Sequence, residues 1–453
     1  VPCSFVTNFE QFVIYDCRFL PDINQSAKYG TIQLKIDEYI NNFDLLYDYL
    51  FIGNVLNGNL ERIYDGISIE GKSTLDEEFN KELSEFRLDL ANEIYSNNEI
   101  NNYELNYFVQ MIMNRILFIR VCESRGLEPL EKLKEMLNGN FWANFCKESD
   151  LNFNVHYDGP LFFKIKKMDE LNIVDMSIFE NFINSLYYPS PYKFNIIPTS
   201  VISNIYEDFL SKELKPSNGK LVECLKDDYT KTNGAVPTPK YIVDGIVSLC
   251  IDTSSLNSIK DLLNIKILDP CCGSGIFMVS ALQALCSSAI ELYKQGKCEK
   301  EYENWFVIDD DIYLSMSAKR EIITNCIFGI DYDLNSVEVS KMSLALKVID
   351  DTPVILLKKV GAFDHNILHS IQKNILLGNT LVENDIDGLS TDELISIRPI
   401  NLSEQYNEVI ANGGFDYIIG NPPYVETKYY KSASLKMHEY LSKKYNFFEG
   451  KAD

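Results

Sequence analysis

The sequence predicts an α/β protein: a mainly parallel sheet after about residue 216, preceded by a mainly helical region and a short β segment at the amino end. Three observations predict it. After about residue 230, apolar strand-like runs alternate with helical patterns, the signature of strands joined by crossover helices. Between about 73 and 137, apolar residues recur three and four apart, as on helices packed against helices. At the start, two β-branched and aromatic runs flank Asn8-Phe9-Glu10-Gln11, a hairpin pattern.

The elements follow in order. Residues 1–50 form the short β segment and the start of a helix. Residues 51–215 form the helical region: Ser73-Thr74 with Glu77 resembles a capping box, and Leu105, Phe108, Val109, Ile112, Ile116 and Ile119 mark one face of a helix. A looser stretch follows, rich in Asn, Tyr and Pro, and Ile202 to Leu214 read as one more helix. The breaker-rich KPSNGK at 215–220 separates this region from residues 216–453. There the strands are read in IKILDP, CIFGIDYD, NILLGNTL and FDYIIGNPPY, with helices from Gly275 and up to about Ile349.

Composition narrows the function class. A chain of 453 residues is too long for one core, and 46% hydrophobic with 24% charged residues is ordinary for a globular protein. No stretch reads as a secretory signal or as an uncharged apolar span of membrane length, so a cytoplasmic location is expected. The 42 basic against 66 acidic residues argue against a uniformly basic nucleic-acid coat and leave room only for a local basic cleft. Eleven scattered cysteines with no Cys-x-x-Cys pair suggest reduced thiols rather than disulfides or a zinc site. His365 and His369 lack the Glu of a metal-binding helix, and no metal is expected.

The chemistry is carried by strand ends. In ILDPCCGSGIFMVSAL a buried strand delivers Asp269 to its carboxyl end, and Gly273 and Gly275 turn the chain into a helix, where an open α/β sheet takes a nucleotide-like ligand. Asp331 ends the next strand, placed to accept both hydroxyls of a ribose. A nicotinamide-binding G-x-G-x-x-G and a phosphate-binding Lys-Ser/Thr are both missing, which leaves an adenosine without a polyphosphate. Asn379-Thr380 end a third strand, whose amide can read an adenine edge. Thr238 and Pro239 open a helix as a rigid rim for the ligand's amino-acid end.

Together DPCCGSGIF, GIDYD, GNTL and GNPPY, preceded by PTPKYIV, resemble the ordered motifs of the amino-methylating adenine DNA methyltransferases. Residues 1–215 resemble the region ahead of the methyltransferase in fused type IIG restriction-modification enzymes, through VTNFEQFVIYDCR, MIMNRILFIRVCESRGLEP and LYYPSPYKFNIIP. The resemblance implies a Rossmann-like domain binding S-adenosylmethionine, with double-stranded DNA as partner and the target adenine flipped out. It implies Thr238 and Pro239 along the cofactor, Asp269, Gly273 and Gly275 around its methionine part, Asp331 on the ribose and Asn379 on the adenine. Two departures stand out: Asn379 occupies a position that is Asp in many relatives, and the long spacing from Asp269 to Asp331 implies an inserted helix or loop around 296–320. In the implied acceptor corner, the Asn421 side-chain oxygen and the Pro422 carbonyl can take the hydrogens of the adenine amine. Pro422 and Pro423 fix the turn, and Tyr424 stacks on the base.

Each residue also has a plainer reading. Asn-Pro-Pro can be a turn, Asp331 can cap the next helix, and Cys271 and Cys272 are read as packing residues. The alternatives of another class are a methyltransferase acting on RNA or on protein glutamine, and a non-catalytic module that senses the cofactor. The sequence starts on Val1 and stops at Asp453 without a polar tail, so it reads as a piece of a longer protein, with a nuclease before it and target readout after it. The recognised DNA sequence and the oligomeric state are not encoded in any motif.

Overall fold

A computed structural model describes residues 3–16, 30–56, 75–157, 160–188, 192, 194, 209–217, 220–226, 238–309, 311–350, 369–423 and 434–445. Tyr424, His365 and the Ser73-Thr74 cap lie outside the described residues. The chain divides into two units, residues 1–83 with 185–192, and residues 84–184 with 193–453.

The first unit holds a three-stranded antiparallel sheet, β1 (Cys3–Thr7), β2 (Gln11–Asp16) and β3 (Gly30–Lys35), with β2 in the middle. The hairpin expected at Asn8 forms because the Asn8 carboxamide accepts both the Glu10 and Gln11 N–H groups. Phe9 takes the left-handed backbone at φ 71°. The sequence pattern did not predict β3; its Ile32 pairs with Ile14, and Cys3, Phe12, Ile14 and Tyr49 of helix α1 (Phe43–Leu50) form the core.

In the second unit, helices α2 (Leu75–Asn97, its Ser84–Asn97 part) and α3 (Asn102–Ser124) carry the three- and four-residue periodicity. Asn101 caps α3, accepting the Glu104 N–H while Glu104 reaches back. This helix is buried nearly all round, from Leu105 to Glu123, so it is a central rather than a surface helix. One of its neighbours is α7, a helix of the sheet region introduced below.

Of the helix expected from Ile202 to Leu214, residues 202–208 lie outside the described residues and 209–211 are helical, but its end is not. Lys212–Ser217 is strand β4, paired antiparallel with β5 (Lys220–Leu225), Ser217 opposite Lys220. The physical reason is turn chemistry: Asn218-Gly219 between two short runs is a stronger hairpin signal than an apolar period is a helix signal. Leu214 and Leu221 are buried.

The sheet of this unit has four parallel strands, β6 (Ile267–Asp269), β9 (Ile327–Asp331), β10 (Ile375–Leu377) and β11 (Tyr417–Ile418), in the order β10-β9-β6-β11. Helix α4 (Lys240–Cys250) precedes it, and α5 (Ile276–Lys294) follows β6. By length and composition α5 could cross a membrane, but residues such as Phe277, Leu282 and Leu285 are buried in packing against β9 and helices α4, α6 and α7. The long spacing before β9 is filled by an antiparallel hairpin, β7 (Phe306–Ile308) with β8 (Ile312–Leu314), and by α6 (Met316–Cys326). After β9 runs α7 (Leu334–Ile349), and α8 (Leu435–Lys444) lies near the end. Leu268, Phe328, Ile330, Tyr406 and Val409 form one core cluster on the sheet.

Candidate functional site

Because the four strands are parallel, their carboxyl ends lie along one edge. The order reverses direction at β6: the chain steps from β6 to β9 and β10 on one side and returns to β11 on the other. A crevice at such a switch point is where open α/β sheets bind ligands.

Asp269 ends β6 fully buried at 1% exposure, its carboxylate accepting the Cys271 N–H at 3.1 Å. Burial first and the nearby Asp331 charge second push this carboxyl up to about 7. Gly420, two residues past β11, lies so close that a Cβ there would stand 2.5 Å from the Asp269 oxygen. That is why the residue before Asn421 has no side chain.

The glycine turn is held from below. Gly273 and Gly275 take left-handed backbone at φ 54° and 85°, and a Cβ on Gly275 would meet Ser340 of α7 at 3.1 Å. The Ser340 hydroxyl donates to the Gly273 carbonyl at 2.8 Å, and the Cys272 N–H donates to the Ile330 carbonyl at 2.9 Å. Burial raises both the Cys271 and Cys272 thiols, which keeps them protonated.

Asp331 does not cap the following helix; Asp333 does, accepting the Asn335 N–H. The Asp331 oxygens instead accept the Gly273 and Asp333 N–H groups, each at 2.8 Å, which ties the end of β9 to the glycine turn. Burial pushes this carboxyl up to about 6. Past β10, Asn379 bends its loop by accepting the Leu381 N–H at 3.1 Å, with its amide 3.8 Å from the Met437 sulfur. Its neighbour Thr380 donates to the Pro270 carbonyl at 3.3 Å.

The corner after β11 meets the rim. The Ile419 N–H donates to the Leu268 carbonyl, carrying the chain past Gly420 to Asn421, Pro422 and Pro423. The Asn421 amide donates to the Thr238 hydroxyl at 3.0 Å. Pro239 is the N-cap of α4, and Asp244 one turn on accepts the Ser280 hydroxyl of α5 at 2.7 Å, fixing the rim to the helix behind the glycine turn.

Thus Gly273 is joined to Asp331 by a direct hydrogen bond and Thr238 to Asn421 by another, while Asp269 holds the turn through the Cys271 N–H and Gly275 packs on Ser340. Asn379 reaches the group only through its neighbour. Local sequence missed Gly420 and Ser340, whose roles come from close approach; the glycine before Asn-Pro-Pro was the available signal.

The residues fit an adenosine ligand with a cationic amino-acid part. The buried Asp269 carboxylate and the half-buried Asp331 carboxylate, with no cation hydrogen-bonded to either among the described residues, suit a positive ligand, and the Ser274 hydroxyl in the glycine turn is buried without a hydrogen-bond partner. Among the described residues no group of three His, Cys, Asp or Glu side chains is placed to hold a metal ion.

Residues 325–453 match the Eco57I restriction-modification methylase family. The chain is 30% identical over 450 residues to the type II restriction enzyme and methyltransferase RM.Eco57I of Escherichia coli, covering 98% of this chain and 43% of that protein. It is 26% identical over 223 residues to the type II methyltransferase M.BstVI of Geobacillus stearothermophilus, covering 49% and 29%. The chain therefore spans less than half the length of these relatives. Among solved structures, the type IIL restriction-modification enzyme MmeI in complex with DNA aligns over 77% of this chain and 44% of its own, at 14% identity and a TM-score of 0.41.

Proposed function

We propose that this relative of the Eco57I restriction-modification methylases transfers a methyl group from S-adenosylmethionine to the N6 amine of adenine in double-stranded DNA, as the methylating part of a cytoplasmic restriction-modification enzyme. On this reading residues 216–453 are a Rossmann-like cofactor domain, 51–215 a helical domain, and 1–50 a β segment that links to a nuclease.

The observation that carries the reading is the Asn421–Thr238 hydrogen bond at the switch point, beside the strand end that bears Asp269 and the glycine turn. It supports the reading of Asn-Pro-Pro as an acceptor corner standing against the rim of a nucleoside pocket. Asp331 would hold the ribose hydroxyls, since each carboxylate oxygen has room for a bond beyond the backbone one it already accepts. Asp269, Gly273 and Gly275 would surround the methionine part, Thr238 and Pro239 would line it, and Asn379 would face the adenine.

The bound cofactor supplies an electrophilic methyl group on a sulfonium. The chain's part is to make a poor nucleophile attack. An exocyclic adenine amine has its lone pair delocalised into the ring, and the Asn421 oxygen and Pro422 carbonyl, accepting its two hydrogens, draw the nitrogen toward a tetrahedral geometry. The prolines hold that carbonyl in place and offer no N–H to compete. Tyr424, just beyond Pro423, would stack on the flipped base. Positioning accounts for most of the rate.

Incubating the full-length parent with plasmid and methyl-labelled cofactor, then mapping the modified base, tests this. Label on adenine N6 is expected. Label on cytosine, or on RNA or protein but not DNA, would overturn the assignment.

A further inference from the structure

We infer that Lys226, at the foot of the β4–β5 hairpin, is a positioning residue for the cofactor loop, and that the helices carrying Arg87, Asn92 and Asn106 hold that loop in place through the hairpin. The inference rests on the proposed cofactor role of Asp331.

The hairpin is bound to the helices at several points. Asn106 of α3 behaves like a strand partner, accepting the Leu214 N–H at 2.9 Å and donating to the Leu214 carbonyl at 3.1 Å. Asn92 of α2 accepts the Leu221 N–H at 3.2 Å. The Arg87 guanidinium bonds Glu223 at 2.5 Å and the Lys212 carbonyl at 3.3 Å. Buried Leu214 and Leu221 fill the space between these bonds. A two-stranded hairpin is marginal alone, so these partners fix where it stands.

Its last residue faces the site. The Lys226 N–H closes the hairpin on the Ser211 carbonyl at 3.0 Å, and its ammonium bonds Asp333 at 2.6 Å, both side chains being about a quarter exposed. Asp333 is the residue whose N–H is accepted by Asp331 and whose carboxylate caps α7. Lys226 therefore acts at two bonds' remove from the ribose acid: it pins Asp333, which presents the N–H that orients the Asp331 carboxylate. A pair this exposed contributes modestly to stability, but a small displacement of a ligand-binding carboxylate is felt directly in affinity.

The test is calorimetric titration of S-adenosylmethionine into this chain and its variants. Lys226→Met and Asp333→Asn should each weaken binding two- to fivefold, with Asn retained as an adequate helix cap. The double variant should bind no more weakly than either single one, because both remove the same bond, and Lys226→Arg should bind within twofold of the unaltered chain. Asn106→Ala, which touches no part of the pocket, should also weaken binding while the protein remains folded by thermal melting. Unchanged affinity in Lys226→Met, or losses that multiply in the double variant, would overturn the positioning role. Unchanged affinity in Asn106→Ala would overturn the link through the helices. No binding by the unaltered chain would instead sink the cofactor reading itself.

Discussion

The Asn421 side-chain amide donates a hydrogen bond to the Thr238 hydroxyl across 183 positions of sequence, at 3.0 Å. On the proposed reading the acceptor corner and the cofactor rim are therefore joined directly, and Thr238 can influence the amide that would meet the target amine. In the full-length parent, Thr238→Val should slow methyl transfer by up to about tenfold, the worth of one hydrogen bond, with a smaller effect on cofactor affinity. Thr238→Ser should restore the rate. A loss that appears wholly as weaker cofactor binding would assign the hydroxyl to the cofactor alone.

Removing the amide itself should be more severe. Asn421→Ala in the parent should abolish N6-adenine methylation and leave cofactor affinity nearly intact, because on the proposed reading the amide acts on the target base. Near-normal methylation by this variant would mean that the Asn-Pro-Pro corner is only a turn.

Asp331→Ala removes a half-buried acceptor that ties β9 to the glycine turn and that would hold the ribose. Charge-assisted hydrogen bonds contribute roughly 1.5–3 kcal/mol each, so S-adenosylmethionine should bind about tenfold more weakly or worse. Calorimetry showing wild-type affinity would end the assignment.

Asp269 yields a prediction in pH. Burial raises its carboxyl from 3.8 to about 7, so the folded state keeps a proton that the unfolded chain gives up above pH 4. Stability from this group is fully present at low pH and is lost as pH rises through the window from about 4 to 7. Asp269→Asn, neutral throughout, should melt like the wild type near pH 4 and above it by on the order of 2–4 °C at pH 8. The same variant should bind the cationic cofactor more weakly. A melting difference independent of pH would show that Asp269 does not titrate in this range.

Gly420→Ala would bring a methyl group to 2.5 Å from the Asp269 oxygen. Overpacking of this kind costs about 1–3 kcal/mol. The variant should melt lower and, since Asp269 has to yield, bind the cofactor more weakly. An unchanged melting temperature would show that the β11 end moves freely.

Much of this was legible in the sequence because the signals are local. Three apolar runs that end on Asp269, Asp331 and Asn379 announce strands and their carboxyl ends, and Gly273 and Gly275 announce a turn that needs left-handed backbone. The periodicity from Leu105 to Ile119 announces a helix. Where two local signals compete, the stronger decides: from Lys212 on, a hairpin displaces the end of the helix expected up to Leu214, and β3 is a short run whose pairing with β2 could not be read from its own residues.

Only the tertiary structure decided which ends meet. The order β10-β9-β6-β11 places Asn421 next to Asp269, brings Gly420 against that carboxylate, joins Asn421 to Thr238 and sets Lys226 on Asp333. These are contacts between residues many tens of positions apart, and nothing in a local period, cap or turn specifies a partner at that distance. The sequence by itself determined the residue types that can bind a nucleoside and accept from an amine. Burial of the sheet between its helices decided their geometry, and with it the raised carboxyls of Asp269 and Asp331, because desolvation exists only once the chain has closed around them.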